Sequence, residues 1–151
     1  MTYHIAQANY ARMKAPLDDP VMAGFVAELD RINAAADASE GFIWRLQGDQ
    51  GDATDIQVFN DDTLIFNMSV WESIDALFQY TYRSVHVEPF RKRLDWFEKL
   101  DKPAMVLWWI PAGHIPPVAE AEEQFRQLET DGPTPAAFTF KTRFPSPAHQ
   151  E

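Results

Sequence analysis

Leu64-Ile65-Phe66-Asn67-Met68-Ser69-Val70-Trp71 is the stretch on which the fold turns. Side chains alternate across a strand, so it divides into a wholly apolar set, Leu64, Phe66, Met68 and Val70, and a mixed set, Ile65, Asn67, Ser69 and Trp71. Ser73 follows at a helix N-cap position, and Ile74, Leu77, Phe78 and Tyr82 then recur at helical spacing. A half-buried strand feeding an amphipathic helix is the signature of an α+β domain.

The same sorting works upstream. His4 to Tyr10 reads as a strand with Ala6, Ala8 and Tyr10 on one side and Ile5, Gln7 and Asn9 on the other. Asp19 can cap and Pro20 can open a first helix, whose stripe is Val21, Phe25, Leu29, Ile32 and Ala36 and which ends at Ser39-Glu40-Gly41. Phe42 to Gln47 and Ile56 to Phe59 read as strand pieces; in the first, Phe42, Trp44 and Leu46 oppose Ile43, Arg45 and Gln47. Asn60-Asp61-Asp62 then turns the chain into the stretch quoted above.

Downstream, Val87, Phe90, Leu94 and Phe97 extend the helical pattern, and Met105 to Ile110 is an apolar, β-prone run stopped by Pro111. Pro116-Pro117 opens a last helix over about Val118 to Thr130, Gly132 suits its C-terminal cap, and Phe138 to Phe140 forms one more short strand. The order is that of a ferredoxin-like split βαβ unit with an added C-terminal helix. A single domain is expected over residues 1–144, with a disordered tail over 145–151.

Composition narrows the function. With 46% hydrophobic residues in 151, the chain is too apolar for disorder, and its apolar runs fall well short of the roughly 20 residues of a membrane span. A formal charge of −10 repels phosphate backbones, so nucleic acid is not an expected partner, and the short apolar runs make a membrane an unexpected one too. Absence of cysteine removes thiol nucleophiles and thiolate metal sites and points to a cytoplasmic setting. No metal is expected, because Asp18-Asp19 and Asp61-Asp62 suit turns and caps.

The mixed sheet face is the candidate site. It is either a solvated face or the wall of a covered pocket, and Ile5, Ile43, Ile65 and Trp71 favour cover, with the helices expected on the apolar face and a second subunit's sheet on the mixed one. Gln7, Asn9, Arg45, Asn67 and Ser69 would then be pocket-wall groups for a small-molecule ligand. His86, beside the stripe of Phe90 and Phe97, and His114, in a proline-bounded loop, are the imidazoles that suit acid–base or ligand roles, each weighed against a structural histidine. The cations Arg83, Arg91, Lys92, Arg93, Lys99 and Lys102 suit helix-surface ion pairs as well as anion binding. The five tryptophans suit core or interface first.

Three segments carry a family resemblance: Ala11-Arg12-Met13-Lys14-Ala15-Pro16-Leu17-Asp18-Asp19-Pro20, Asn67-Met68-Ser69-Val70-Trp71-Glu72-Ser73, and Leu107-Trp108-Trp109-Ile110-Pro111-Ala112-Gly113-His114. Together they resemble the bacterial domain-of-unknown-function family 3291, grouped with the dimeric α/β-barrel superfamily. That resemblance implies a homodimer of two half-barrels and a ligand pocket. The superfamily includes haem-degrading and cofactor-independent monooxygenases and small stress-response proteins, so it does not fix an activity. By likeness to the haem-degrading members, Asn9 and His86 would be catalytic and haem a possible cofactor. The helix aromatics Phe78, Tyr80 and Tyr82 depart from those enzymes, which carry a Trp there. The expected function is that of a small-molecule enzyme, of the monooxygenase kind, haem-dependent or cofactor-independent, on an aromatic or polyketide-like substrate, with a non-catalytic ligand-binding or stress-response dimer as the alternative. Arg45, Trp71 and His114 complete the expected ligand-binding set with Gln7, Asn67 and Ser69.

Overall fold

The computed structural model describes residues 2–47, 56–83, 96–100 and 104–147. Its elements are β1 (Tyr3–Met13), α1 (Ala23–Asp37), β2 (Phe42–Arg45), β3 (Leu64–Trp71), α2 (Ile74–Arg83), β4 (Phe97–Glu98), β5 (Met105–Pro111) and α3 (Val118–Asp131). The sheet is antiparallel in the order β2-β3-β1, with β5 on the N-terminal part of β1 and β4 on its C-terminal end. With β5 as the fourth strand this is the ferredoxin-like arrangement read from the sequence.

Local chemistry starts the helices where the sequence says. Asp19 accepts a 2.9 Å hydrogen bond from the Val21 amide, and a 3-10 turn at Pro20–Met22 precedes α1. Ser73 accepts from the Ala76 amide at 3.1 Å and caps α2. Gly132, at φ 72°, closes α3. Val58-Phe59-Asn60-Asp61 is a tight turn rather than a strand end, with Phe59 and Asn60 at φ 55° and 53°. Phe59 holds that conformation because its amide donates to Glu122 on α3 at 2.7 Å and its ring packs on Tyr10 and Phe125. Asp61 accepts from the Thr63 amide and hydroxyl, which together with Arg12 hold its carboxyl below the usual value.

Cores form on both sheet faces. Ala6, Ala8, Tyr10, Phe66, Met68, Val70, Val106, Trp108 and Ile110 pack against Ala121, Phe125 and Leu128 of α3. On the other face Ile5, Trp71 and Leu107 pack with Ala36 of α1, Leu77 of α2 and Phe138. The apolar face is therefore covered by α3, while α1 and α2 lie on the mixed face. This corrects the expected layering: α1 and α2 occupy the face where a second sheet was expected. They can pack there because Trp71, Ile5, Leu107 and Trp109 supply large apolar area despite the interleaved polar residues.

Smaller differences have local causes. Phe42 pairs with Trp71 and Trp44 with Val70, so a bulge between them turns Phe42 to the mixed face and leaves Ile43 41% exposed. Phe97 is in β4 rather than in a helix, and Phe138 makes an isolated bridge to Leu107. The segment expected as a tail is described as far as residue 147, with Ser146 buried. Among the described residues no helix is long and apolar enough to cross a membrane.

Candidate functional site

Antiparallel register sets the mixed face out in rows: Ile5 opposite Trp71, Gln7 opposite Ser69, Asn9 opposite Asn67, Ala11 opposite Ile65. On the other side of β1, Trp109, Leu107 and Met105 extend the first three rows. Polar groups in the middle rows form one connected array. Trp71 Nε1 donates to Ser69 Oγ at 2.9 Å, Gln7 Nε2 donates to the same oxygen at 2.7 Å, and Asn9 Nδ2 donates to Gln7 Oε1 at 2.9 Å. Gln7 and Ser69 are 4% and 6% exposed, so these bonds satisfy groups that water does not reach.

The array is open at one end. Asn9 is partly buried and Asn67 exposed, and among the described residues the Asn67 carboxamide has no hydrogen-bond partner. Asn9 lies four residues from Met13 and four from Ile5, the two places where α1 is anchored. At the Met13 end, Phe25 packs on Phe97 and Trp96, with ring centroids 5.0 and 5.7 Å apart. At the Ile5 end, Ala36 joins the Trp71 cluster, and Tyr80 donates to the Ile32 carbonyl at 3.1 Å. Between these anchors Leu29 is only partly buried.

Trp71 forms the closed end of the array. Tyr80 stacks on it at 5.1 Å and 27°, and Phe42 meets it edge-on at 5.4 Å. Burial pushes the Tyr80 phenol well above its ordinary pKa, so it stays a hydrogen-bond donor. Arg45, opposite Ser69, is held by Asp37 at 2.8 Å, and its side chain is only 13% exposed. That pairing, from the end of α1 to β2, was not visible in the sequence, nor was the position of Tyr80.

The structure thus brings Gln7, Asn9, Ser69 and Trp71 together, with Asn67 beside them and Arg45 at the edge. His114 is elsewhere. Its Nε2 lies 2.8 Å from Glu120 Oε1, while Glu120 Oε2 accepts from Trp108 Nε1 at 2.8 Å, and Trp108 belongs to the α3-covered face. His114 therefore serves the start of α3 and not the mixed face. His86 lies outside the described residues, as do Arg91, Lys92, Arg93 and Lys102. Carboxamides, a hydroxyl and an indole N–H are not iron ligands, so the array does not fit haem. Among the described residues no cluster of His, Asp and Glu could hold a metal ion.

A separate groove of about 480 Å³ runs between the α1–β2 turn and the start of α2, lined by Glu40, Glu72, Asp75, Ser39, Ser73 and Tyr80 among others. Gly41 shapes it: at φ +84° a Cβ would come 2.6 Å from Ala76 Cβ. Ser39 and Ser73 are used by the Ala35 carbonyl and the Ala76 amide, so the groove presents chiefly carboxylates.

No curated protein matches the chain. Among solved structures it is similar to the NE2512 protein of unknown function from Nitrosomonas europaea. That match has a TM-score of 0.52 at 9% identity and covers 77% of this chain and 97% of that one; at that identity it shows the fold alone. It is also similar to PA3566 from Pseudomonas aeruginosa, at a TM-score of 0.49 and 14% identity over 73% of this chain and 94% of that one. The family model described as domain of unknown function (DUF3291) matches residues 4–151, almost the whole length, and the chain belongs to that family.

Proposed function

We propose that the protein binds a small neutral molecule between the middle of α1 and the Asn9–Asn67 row of the sheet. The observation that carries this reading is the open end of an otherwise satisfied polar array on a helix-bearing sheet face. A buried polar residue costs free energy unless its bonds are made, and the buried members of the array, Gln7 and Ser69, have theirs made. Gln7, Ser69 and Trp71 satisfy one another. Asn9 and Asn67 keep hydrogen-bonding capacity that a ligand can use.

Binding is favoured over turnover because amides, a hydroxyl and an indole do not take up or release protons between about pH 4 and pH 9. Such groups orient a ligand and report its shape. The monooxygenase alternative would draw its acid–base group from His86. A thermal-shift screen of neutral aromatic fragments tests the proposal, with Asn67→Leu as the control. Hits that raise the melting temperature of the wild type and lose that effect in the variant support it. A screen whose hits are indifferent to Asn67→Leu and to Asn9→Ala would count against it.

A further inference from the structure

We propose that residues 138–146 are a strap that closes the open edge of β5 and keeps a second copy of the chain from adding its own β5 there, with Arg143 as the latch. The β1–β5 register turns the backbone groups of Val106, Trp108 and Ile110 toward β1, so those of Met105, Leu107 and Trp109 point away from the sheet. Met105–Pro111 carries no charge, and its one proline stands at the end. An apolar, uncharged edge strand of this length is a template for pairing with another chain, and folded proteins charge it, bulge it or cover it. Here it is covered.

A tight turn at Thr134 to Ala137 reverses the chain after α3. Phe138, fully buried, then exchanges backbone hydrogen bonds of 2.8 and 2.9 Å with Leu107, as a residue of an added strand would. The pairing stops there: among the described residues the outward backbone groups of Met105 and Trp109 make no backbone hydrogen bond. The Trp109 indole donates instead to the Phe144 carbonyl at 2.9 Å, and the Phe144 ring returns to Phe138, with centroids 5.7 Å apart. The strap thus occupies the middle of the edge and folds over its Trp109 end. Arg143 fixes it to α2. The guanidinium lies 5.1 Å from the ring centroid of Phe78, 5.7 Å from that of Phe140 and 3.7 Å from Asp75, and its Nε donates to the Phe140 carbonyl at 3.1 Å. The Arg143 side chain is 38% exposed, so the latch is made of surface contacts that can open without unfolding the core.

Amide hydrogen exchange at Leu107 and sedimentation velocity, both on the full chain, test this together. Arg143→Glu takes the cation off two rings and sets a like charge against Asp75. Leu107 exchange is expected to quicken about tenfold while the amides between β1 and β3 keep their wild-type rates, and associated species should exceed those of wild type at matched concentration. Met105→Pro on that background should abolish the excess association and leave Leu107 exchange fast, because it puts proline on the edge at a position whose amide makes no backbone bond. Arg143→Gln, which discards the cation without reversing its charge, should give the same pattern at smaller amplitude and serves if the reversal disturbs the fold. Wild-type exchange at Leu107 in both Arg143 variants would overturn the proposal. So would faster exchange without added association, or association that survives Met105→Pro.

Discussion

Ser69→Ala is the most informative single substitution, because Ser69 Oγ is the shared acceptor of two buried donors. Its removal leaves Gln7 Nε2 and Trp71 Nε1 without the partners they hold at 2.7 and 2.9 Å, and Trp71 is fully buried. Each unsatisfied buried donor costs about 1–3 kcal/mol, and partial relaxation of the Gln7 side chain brings the expected total to about 2–5 kcal/mol. For a chain of this length that is a fall in melting temperature of roughly 5–15 °C. Guanidinium denaturation gives the free energy and calorimetry the temperature. Gln7→Met on top of Ser69→Ala removes one of the two orphaned donors and should recover about 1–3 kcal/mol, a non-additivity that a merely local packing defect would not produce. A Ser69→Ala protein within about 0.5 kcal/mol of wild type would refute the array as a structural unit.

Other substitutions test neighbouring parts of the account. Gly41→Ala should destabilise by about 2 kcal/mol or more, since a left-handed φ and a 2.6 Å approach to Ala76 combine; unchanged urea unfolding would contradict the turn geometry. Gln124→Met should stabilise by about 1 kcal/mol, because Gln124 Oε1 is buried without a partner, and a loss on calorimetry would show that the oxygen is satisfied in solution. The buried phenol of Tyr80 has its pKa raised above the ordinary 10.0, so the stability it contributes is complete below pH 10 and is lost as pH rises beyond it. Tyr80→Phe should flatten the alkaline part of the stability profile, and an unchanged slope above pH 10 would contradict the assigned burial.

Much of the fold was legible because its signals are local. Alternation in β1 and β3, the Asp19 and Ser73 caps and Gly132 each follow from a few adjacent residues, and each stands where the sequence put it. The layering was not legible, because alternation separates two faces without saying which carries which helix. The two cores show that Trp71 and Ile5 outweigh Gln7 and Ser69 in making a face fit to cover. The site divides along the same line. Gln7, Asn9, Asn67 and Ser69 share a face through strand periodicity alone, whereas the Arg45–Asp37 pair and the Tyr80–Trp71 stack depend on how α1 and α2 approach the sheet. His114 misled because a constrained loop looks like a lid, although its partner, Glu120, lies only six residues on, at the first turn of α3.

The central claim is that a small molecule binds between the middle of α1 and the Asn9–Asn67 row, and Leu29→Trp tests it by adding bulk from the helix side. The melting temperature of the variant, measured with and without a hit of the fragment screen, decides the matter. The account predicts that the ligand-induced rise seen in the wild type is lost in the variant. A variant that keeps the full wild-type rise would contradict it.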